Sequence, residues 1–437
     1  MFVDSKSVPI ERLETTAGLK SKGKFGSNVR MLADVELIFD ERPNPQDFSG
    51  LTNRALLDPW RVESDALFVE FLDVGLDGLD LRMGRQQVIW GTADRFHPTS
   101  NLNALDVEDS LRFGESIANE MVTLRYNPEL WFGDEDEPWF EEFSLEFVFV
   151  PIFKPAQLPN SAGLAFTDPV ELERQADSKV LKELLDAQKL LLGYSFSYSP
   201  NIVLPERNIE NSMMGARMGW HLLGLDLSLS YFRGFDDFPR AEKVVALQDD
   251  KKLHVDSQIT LTYPRIQVLG ADMATSVKWL DGMGLWFEGA MVLHDDLYRV
   301  IDASGTTLSN VVLETEHEAG HFFKATVGVD YSPTPWLYIN VQYLHGFLDE
   351  FGSASLDDYI VAGMDIKMAR GTVVLRSFGI VNIQDQSVVA FPQLIMMPWN
   401  NSELTLGAFL FFGKDDSKFG SAVAGASTAF MKAKVIF

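Results

Sequence analysis

His317-Glu318-Ala319-Gly320-His321 has the spacing of the HExxH zinc-protease signature. In that chemistry two histidines four residues apart share one helix face and reach one metal, with the glutamate as general base. The context predicts a strand instead, because Phe322 to Tyr331 alternates apolar and polar residues. At ~3.3 Å per residue the two imidazoles of a strand sit about 13 Å apart, too far for one zinc. The other histidines, His97, His221, His254, His294 and His345, are scattered without ligand spacing. A serine hydrolase is the second enzymatic option, and no G-x-S-x-G elbow is present. Cysteine is absent, which removes disulfides, thiolate zinc sites and covalent haem, and fits a secreted or envelope protein. The acid runs Asp134-Glu135-Asp136-Glu137 and Asp415-Asp416 read as solvated loop charge. The expectation is no enzyme, no metal and no cofactor.

The densest set of polar candidates lies in LRMGRQQVIWGTADRFHPTSNLNALDVED, residues 81–109. Arg85, Gln86, Trp90, Asp94, Arg95, His97, Asn103 and Asp106 are types that build charge pairs and satisfy loop backbone. Following directly on a strand, they either fold inward as a plug or constriction over 91–119 or brace the wall; the sequence leaves both open.

Period-two alternation recurs along most of the chain and must supply the scaffold. Val29, Met31, Ala33, Val35, Leu37 and Phe39 oppose Arg30, Asp34, Glu36 and Asp40. These strands run to about 10–13 residues, where soluble ones average ~5–6 and membrane-spanning ones need ~9–11. Aromatics such as Trp220, Tyr231, Tyr331, Trp336 and Trp399 collect at strand ends. Connections in the C-terminal half alternate between short turns and long polar loops. An all-β, transmembrane antiparallel β-barrel follows, because a bilayer tolerates no open sheet edge. The reading gives about eighteen strands, with sixteen as the alternative, in a single domain over 1–437. It includes wall strands at 190–199 and 253–277, and it leaves 41–64, 91–119 and 151–188 as long segments on the periplasmic side or in the lumen. The last of these carries a short helix candidate, with Asp168 as cap and Pro169 at the first helical position.

The charge balance is 37 Lys+Arg against 63 Asp+Glu, a net −26, which argues against nucleic acid as a partner. No apolar run of ~18 residues suggests a membrane-spanning helix. The opening MFVDSKSVPIERLETT lacks a signal-peptide core, so an exported protein would be present as its mature chain. The closing strand STAFMKAKVIF places Ala433, Val435 and Phe437 on its lipid face and resembles the C-terminal assembly signal of bacterial outer-membrane proteins.

Gly84-Arg85-Gln86, Trp90-Gly91, Asp94 and Asn103-Ala104-Leu105-Asp106 together resemble an uncharacterised family of proteobacterial outer-membrane barrels with a GRQ-x-x-x-WG…N-P-x-D pattern. The stretch from Asn211 to Pro239 is similar to it too, and the GRQ strand resembles, more loosely, the alginate-export barrels. The likeness spans about half the chain, and Ala104 stands where that family commonly has Pro. It implies location and fold more than cargo.

The function expected is an outer-membrane channel or porin-like transporter for a small hydrophilic or polymeric solute. Its mixed-charge lining is Arg30, Asp34, Glu36, Asp80, Arg82, Glu146, Arg217, Asp226, Glu288, Lys324, Asp330, Asp365, Lys367, Lys432 and Lys434. The rival is a plugged barrel that docks a periplasmic or inner-membrane export partner. Either would be surrounded by outer-membrane lipid and lipopolysaccharide and inserted by the barrel assembly machinery, with both termini facing the periplasm. Acidic pairs in the loops, such as Asp236-Asp237 and Asp295-Asp296, would make an open pore favour cations, more clearly at low salt.

Overall fold

The computed structural model describes residues 13–40, 58–109, 112–133, 138–159, 161, 195–249, 254–305, 312–317, 320–421 and 424–437. The helix candidate at 168 lies outside the described residues. The strands, in chain order, are β1 (Glu14–Phe25), β2 (Val29–Asp40), β3 (Trp60–Phe71), β4 (Leu79–Gln86), β5 (Leu105–Asp106), β6 (Glu115–Ser116), β7 (Asn119–Tyr126) and β8 (Phe132–Gly133). Next come β9 (Pro138–Val150), β10 (Ser195–Ile202), β11 (Met213–Leu222), β12 (Leu225–Phe235), β13 (Arg240–Asp249), β14 (His254–Thr262), β15 (Arg265–Val277) and β16 (Met283–His294). The rest are β17 (Leu297–Gly305), β18 (Val312–His317), β19 (Gly320–Thr334), β20 (Leu337–His345), β21 (Asp358–Met368), β22 (Val373–Asn382), β23 (Val388–Met396), β24 (Ser402–Phe412) and β25 (Thr428–Val435).

One 18-stranded sheet forms the wall: seventeen long strands, each antiparallel to the next along the chain, plus the two-residue β8. The alternation fixes its faces. Met31, Leu37, Leu67, Leu124, Phe147, Leu229, Leu269, Phe323, Val327, Ile360, Leu406 and Met431 point outward and are exposed, a continuous apolar belt that only lipid would cover. Residues of the opposite parity point into the interior.

Two neighbouring residues show that this sheet curls into a barrel. Arg112 pairs with Glu63 at 3.2 Å and Asp65 at 3.1 Å on β3, while Phe113 packs on Phe409 of β24 with ring centroids 5.5 Å apart. Flat, the third and sixteenth long strands would lie about 60 Å apart at ~4.8 Å per strand. The sheet's ends therefore face each other. Among the described residues no ladder joins β1 to β25, so these two strands flank a seam. With seventeen long strands they run in the same direction, and Glu14 and Val435 lie at opposite rims.

Two expected wall strands are corrected. The segment at 190–199 becomes β10 and lies in a separate five-stranded sheet, β10-β14-β13-β17-β18. The long strand expected at 253–277 is two elements, β14 in that second sheet and β15 in the wall, broken at Tyr263-Pro264. Proline supplies no ladder donor, which ends β14 there. Alternation alone cannot separate a wall strand from an equally amphipathic strand in a loop. Removing 190–199 from the wall also corrects the rims. β2, β4 and β9 now end at the same rim as the strands before the other long loops, and not at the short-turn rim. The short-turn rim carries the exposed rings of Trp139, Trp279, Trp336 and Trp399.

Candidate functional site: the lumen and its inserted segment

The connection from β4 to β7, residues 87–118, runs inside the barrel, and the GRQ and WG residues explain how. Gly84 has φ +128, and a side chain there would meet Leu67 O at 2.4 Å, so the close β3–β4 approach requires glycine. Buried Gln86 donates to Met121 O at 3.1 Å and accepts from Thr123 Oγ1 at 3.2 Å. Asn103 staples the segment's two ends: its Oδ1 accepts from Val88 N at 2.8 Å, and its Nδ2 donates to Ile117 O at 2.8 Å and Gln86 O at 3.2 Å. Asp106 caps the next turn by accepting from the N–H groups of Glu108 and Asp109. Burial pushes the Asp106 carboxyl above its ordinary range despite these bonds.

Trp90 is 1 % exposed and donates from Nε1 to Glu146 Oε2 at 2.8 Å. Its ring occupies the place a side chain on Gly215 would take, 2.4 Å from that position. Glu146 is held on its other oxygen by Arg125 at 2.6 Å. Next to Trp90 the chain turns over a single carboxylate. Glu288 on β16 is 0 % exposed and accepts from Thr92 N and Ala93 N at 3.1 Å, Thr99 N at 2.9 Å and Thr99 Oγ1 at 2.7 Å. His97 Nδ1 lies 3.4 Å from it. Gly91, at φ +95, admits Glu288, since a side chain there would lie 2.2 Å from its Oε2. Further along, Gln342 of β20 donates to Asp94 O at 3.2 Å, and Arg95 donates to Phe113 O at 3.1 Å while lying over the Phe378 ring. Phe96 packs on Phe347 and Phe378.

The lumen thus has two unlike halves. The half toward the long loops is filled by two apolar clusters, one around Trp90, Leu102, Met213 and Phe232, the other around Phe96, Phe347, Tyr359 and Phe409. The half toward the short turns is lined by charge, mostly self-neutralised: Arg82 and Arg30 share Glu70, Arg125 meets Glu146, Arg217 meets Asp272, Arg376 meets Asp365, and Lys20 meets Asp34. Such cross-strand pairs let a membrane wall keep ionised side chains against water.

Of the residues expected to line the pore, Arg30, Asp34, Glu36, Asp80, Arg82, Arg217, Asp330, Asp365, Lys367, Lys432 and Lys434 take lumen-facing positions by register. Asp226 sits near the rim with His221 at 2.7 Å. Glu146 and Glu288 also face inward, but under the inserted segment. Lys324 is a correction: its ammonium is bonded to Phe347 O at 2.7 Å and Leu348 O at 3.3 Å in the long-loop cap. Arg85, expected in the plug or constriction, is corrected too: it reaches Ser64 O and Glu120 at the wall's outer parity. Val435 closes β25, with Ala433 on the same outward face, and Phe437 lies two residues past the strand, exposed.

Other residues escaped the sequence reading. Glu70, Arg125, Asp272 and Arg376 complete the charge pairs, and their lumen parity was legible once strand ends were known. Asp237, expected only as loop charge, lies in the turn after β12, accepts from Leu105 N at 3.0 Å and so ties the inserted segment to the loop cap. Its carboxyl is pushed up to about 7, first by burial and then by adjacent Asp236. The HExxH residues fall in strands, His317 at the end of β18 and His321 in β19. Ser197 Oγ lies 2.9 Å from His254 Nε2 but donates its proton to Asp256 at 2.7 Å, so the imidazole is no base for it. Among the described residues no cluster of His, Asp or Glu could hold a metal.

No family model matches the chain, and no curated protein does. Among solved structures it is similar to OmpF of Salmonella typhi in complex with daunomycin, 11% identical over 86% of this chain and 85% of that one, TM-score 0.37. It is also similar to Wzi of Escherichia coli, described as a carbohydrate-binding β-barrel involved in group 1 capsule assembly, at 9% identity, 96% and 81% coverage and TM-score 0.41. A third is OmpT of Vibrio cholerae, an outer-membrane protein in trimer form, at 8% identity, 97% and 87% coverage and TM-score 0.34. At such identities and scores these likenesses say nothing of what this chain carries. The belt, the register and the closure are its own, and they make it a barrel of outer-membrane type.

Proposed function

We propose that this chain is a bacterial outer-membrane channel for hydrophilic solutes, in which residues 87–118 narrow the lumen. The observation that carries the reading is the charge-lined short-turn half, where Lys20, Arg30, Arg125 and Arg376 face the lumen yet keep about half of their side chains accessible. Water in that vestibule solvates the ion pairs, and solutes reach the constriction through it. Lipid and lipopolysaccharide surround the wall, and no catalytic step is assigned. A second reading rests on the two apolar clusters: they seal the barrel, and its loops or rim dock a periplasmic or export partner.

Planar-bilayer conductance separates the two. The channel reading expects small, steady openings from the native protein and larger ones from Glu288→Ala, which frees the inserted segment. A silent native protein with a strongly conducting variant would establish the sealed barrel.

A further inference from the structure

Among the described residues every lumen-facing arginine of the short-turn half has a carboxylate within 4 Å, whereas five lysines have none: Lys367, alone on β21, and two pairs beside the seam. Lys22 and Lys24 on β1 share the parity of Lys20, which meets Asp34 inside the barrel at 2.7 Å. Lys432 and Lys434 on β25 share the parity of Phe430, which packs on Phe391 in the interior. All four are exposed, and all lie within the last four residues of strands that end at the short-turn rim. They flank the seam from its two sides, because β1 and β25 are the ends of the curled sheet.

The local electrostatics make this arrangement costly unless something compensates it. Lys24 stands directly opposite Arg30 in the β1–β2 ladder, a like-charge pair. Arg30 reaches its only carboxylate, Glu70, at 3.8 Å, and Arg82 holds that group more closely at 2.7 Å. Lys434 stands opposite Glu403, which is engaged by Thr405 Oγ1 at 3.2 Å. Neighbouring lysines along each strand are ~7 Å apart, inside a Debye length of ~8 Å at physiological salt, so their potentials add. Lysine also differs from arginine here, being a mobile, hydrated point charge with no planar partner to match.

We propose that these four lysines form an anion-binding strip at the short-turn mouth, which takes up the carboxylate, phosphate or sulfate groups of solutes. This deepens the channel reading by naming a solute class, and it makes the channel axially asymmetric. The long-loop rim carries exposed acidic pairs such as Asp295-Asp296 and Asp415-Asp416, so the two mouths attract opposite ions.

The test is equilibrium binding of a pyrene trisulfonate dye to the detergent-solubilised full chain, followed by fluorescence anisotropy at low salt. Replacing Lys22, Lys24, Lys432 and Lys434 together by Gln should weaken binding about tenfold, the sum of four exposed charge contacts. Lys367→Gln, elsewhere in the vestibule, should change it less than about twofold. The four Lys→Arg replacements, which keep the charge, should retain binding and serve as the check if the Gln protein assembles poorly. Native protein that does not bind the dye, or equal binding by native and Gln proteins, overturns the strip and leaves the lysines as edge-blunting charges. Reversal potentials in a bilayer test the channel separately: a silent barrel that still binds the dye through these lysines defeats the channel and keeps the strip.

Discussion

Thr99 gives Glu288 two hydrogen bonds at once, its backbone N–H at 2.9 Å and its hydroxyl at 2.7 Å. Thr92 and Ala93 add theirs to the other carboxylate oxygen, so a loop strung across the lumen is tied to one strand by one side chain. A buried charge is tolerable here because convergent donors replace its water.

Removing that acceptor should free the loop. Glu288→Ala leaves three backbone N–H groups unpaired and is expected to cost roughly 3–5 kcal/mol, the range for breaking one side of a buried charged contact. The expected readout is a lower temperature of the heat-modifiable gel shift together with larger, noisier conductance. A variant with native thermal behaviour and native current would mean that Glu288 does not hold the segment.

Gly215 should be intolerant of any larger residue. A side chain there would sit 2.4 Å from Trp90 Cη2, and Leu102 presses from the same side at 3.3 Å. Gly215→Val should expel the indole, break its bond to Glu146 and destabilise the barrel by about 1–3 kcal/mol through overpacking. Tryptophan fluorescence would then shift to longer wavelength; an unshifted spectrum with unchanged stability would contradict the packing described.

The fold was legible because the wall repeats one pattern many times, and no single misjudged strand could hide it. The errors came where the pattern has no address. Phe196 to Tyr198 and Val255 to Leu261 alternate as well as any wall strand, yet they pair with each other in parallel in a second sheet. The inserted segment was visible as a run of polar types, but its anchor was not. Glu288 lies about 190 residues away from Thr99 in sequence, and only closure of the barrel brings them together. Of the four lysines beside the seam, Lys432 and Lys434 were expected in the lining, whereas Lys22 and Lys24 were not.

His317 and His321 should be dispensable for any metal content. They occupy different strands in different sheets, β18 and β19, so no helical turn brings them to one ion. Replacing both by Ala should leave the metal content of the purified protein unchanged when it is measured by atomic emission. Loss of one equivalent of zinc would show that the segment folds otherwise.

The last prediction concerns pH and Asp237. Its carboxyl sits against Asp236, within the fields of Lys324 and Tyr263, and accepts from Leu105 N; burial first and Asp236 second push it up to about 7. In the unfolded chain an aspartate titrates near ~3.9. The folded state therefore holds this proton more tightly, and the resulting stabilisation is fully present below about pH 4. It declines as pH rises toward about 7 and is gone above that, the opposite of a salt-bridged carboxylate. Asp237→Asn keeps an acceptor for Leu105 N and has no proton to lose. The variant should gain stability relative to the native protein by roughly 1–3 kcal/mol on going from pH 5 to pH 8. Denaturation midpoints of both proteins at the two pH values decide it, and parallel pH dependence would show that Asp237 is ionised throughout and that the inserted segment is tied to the loop cap by an ordinary carboxylate.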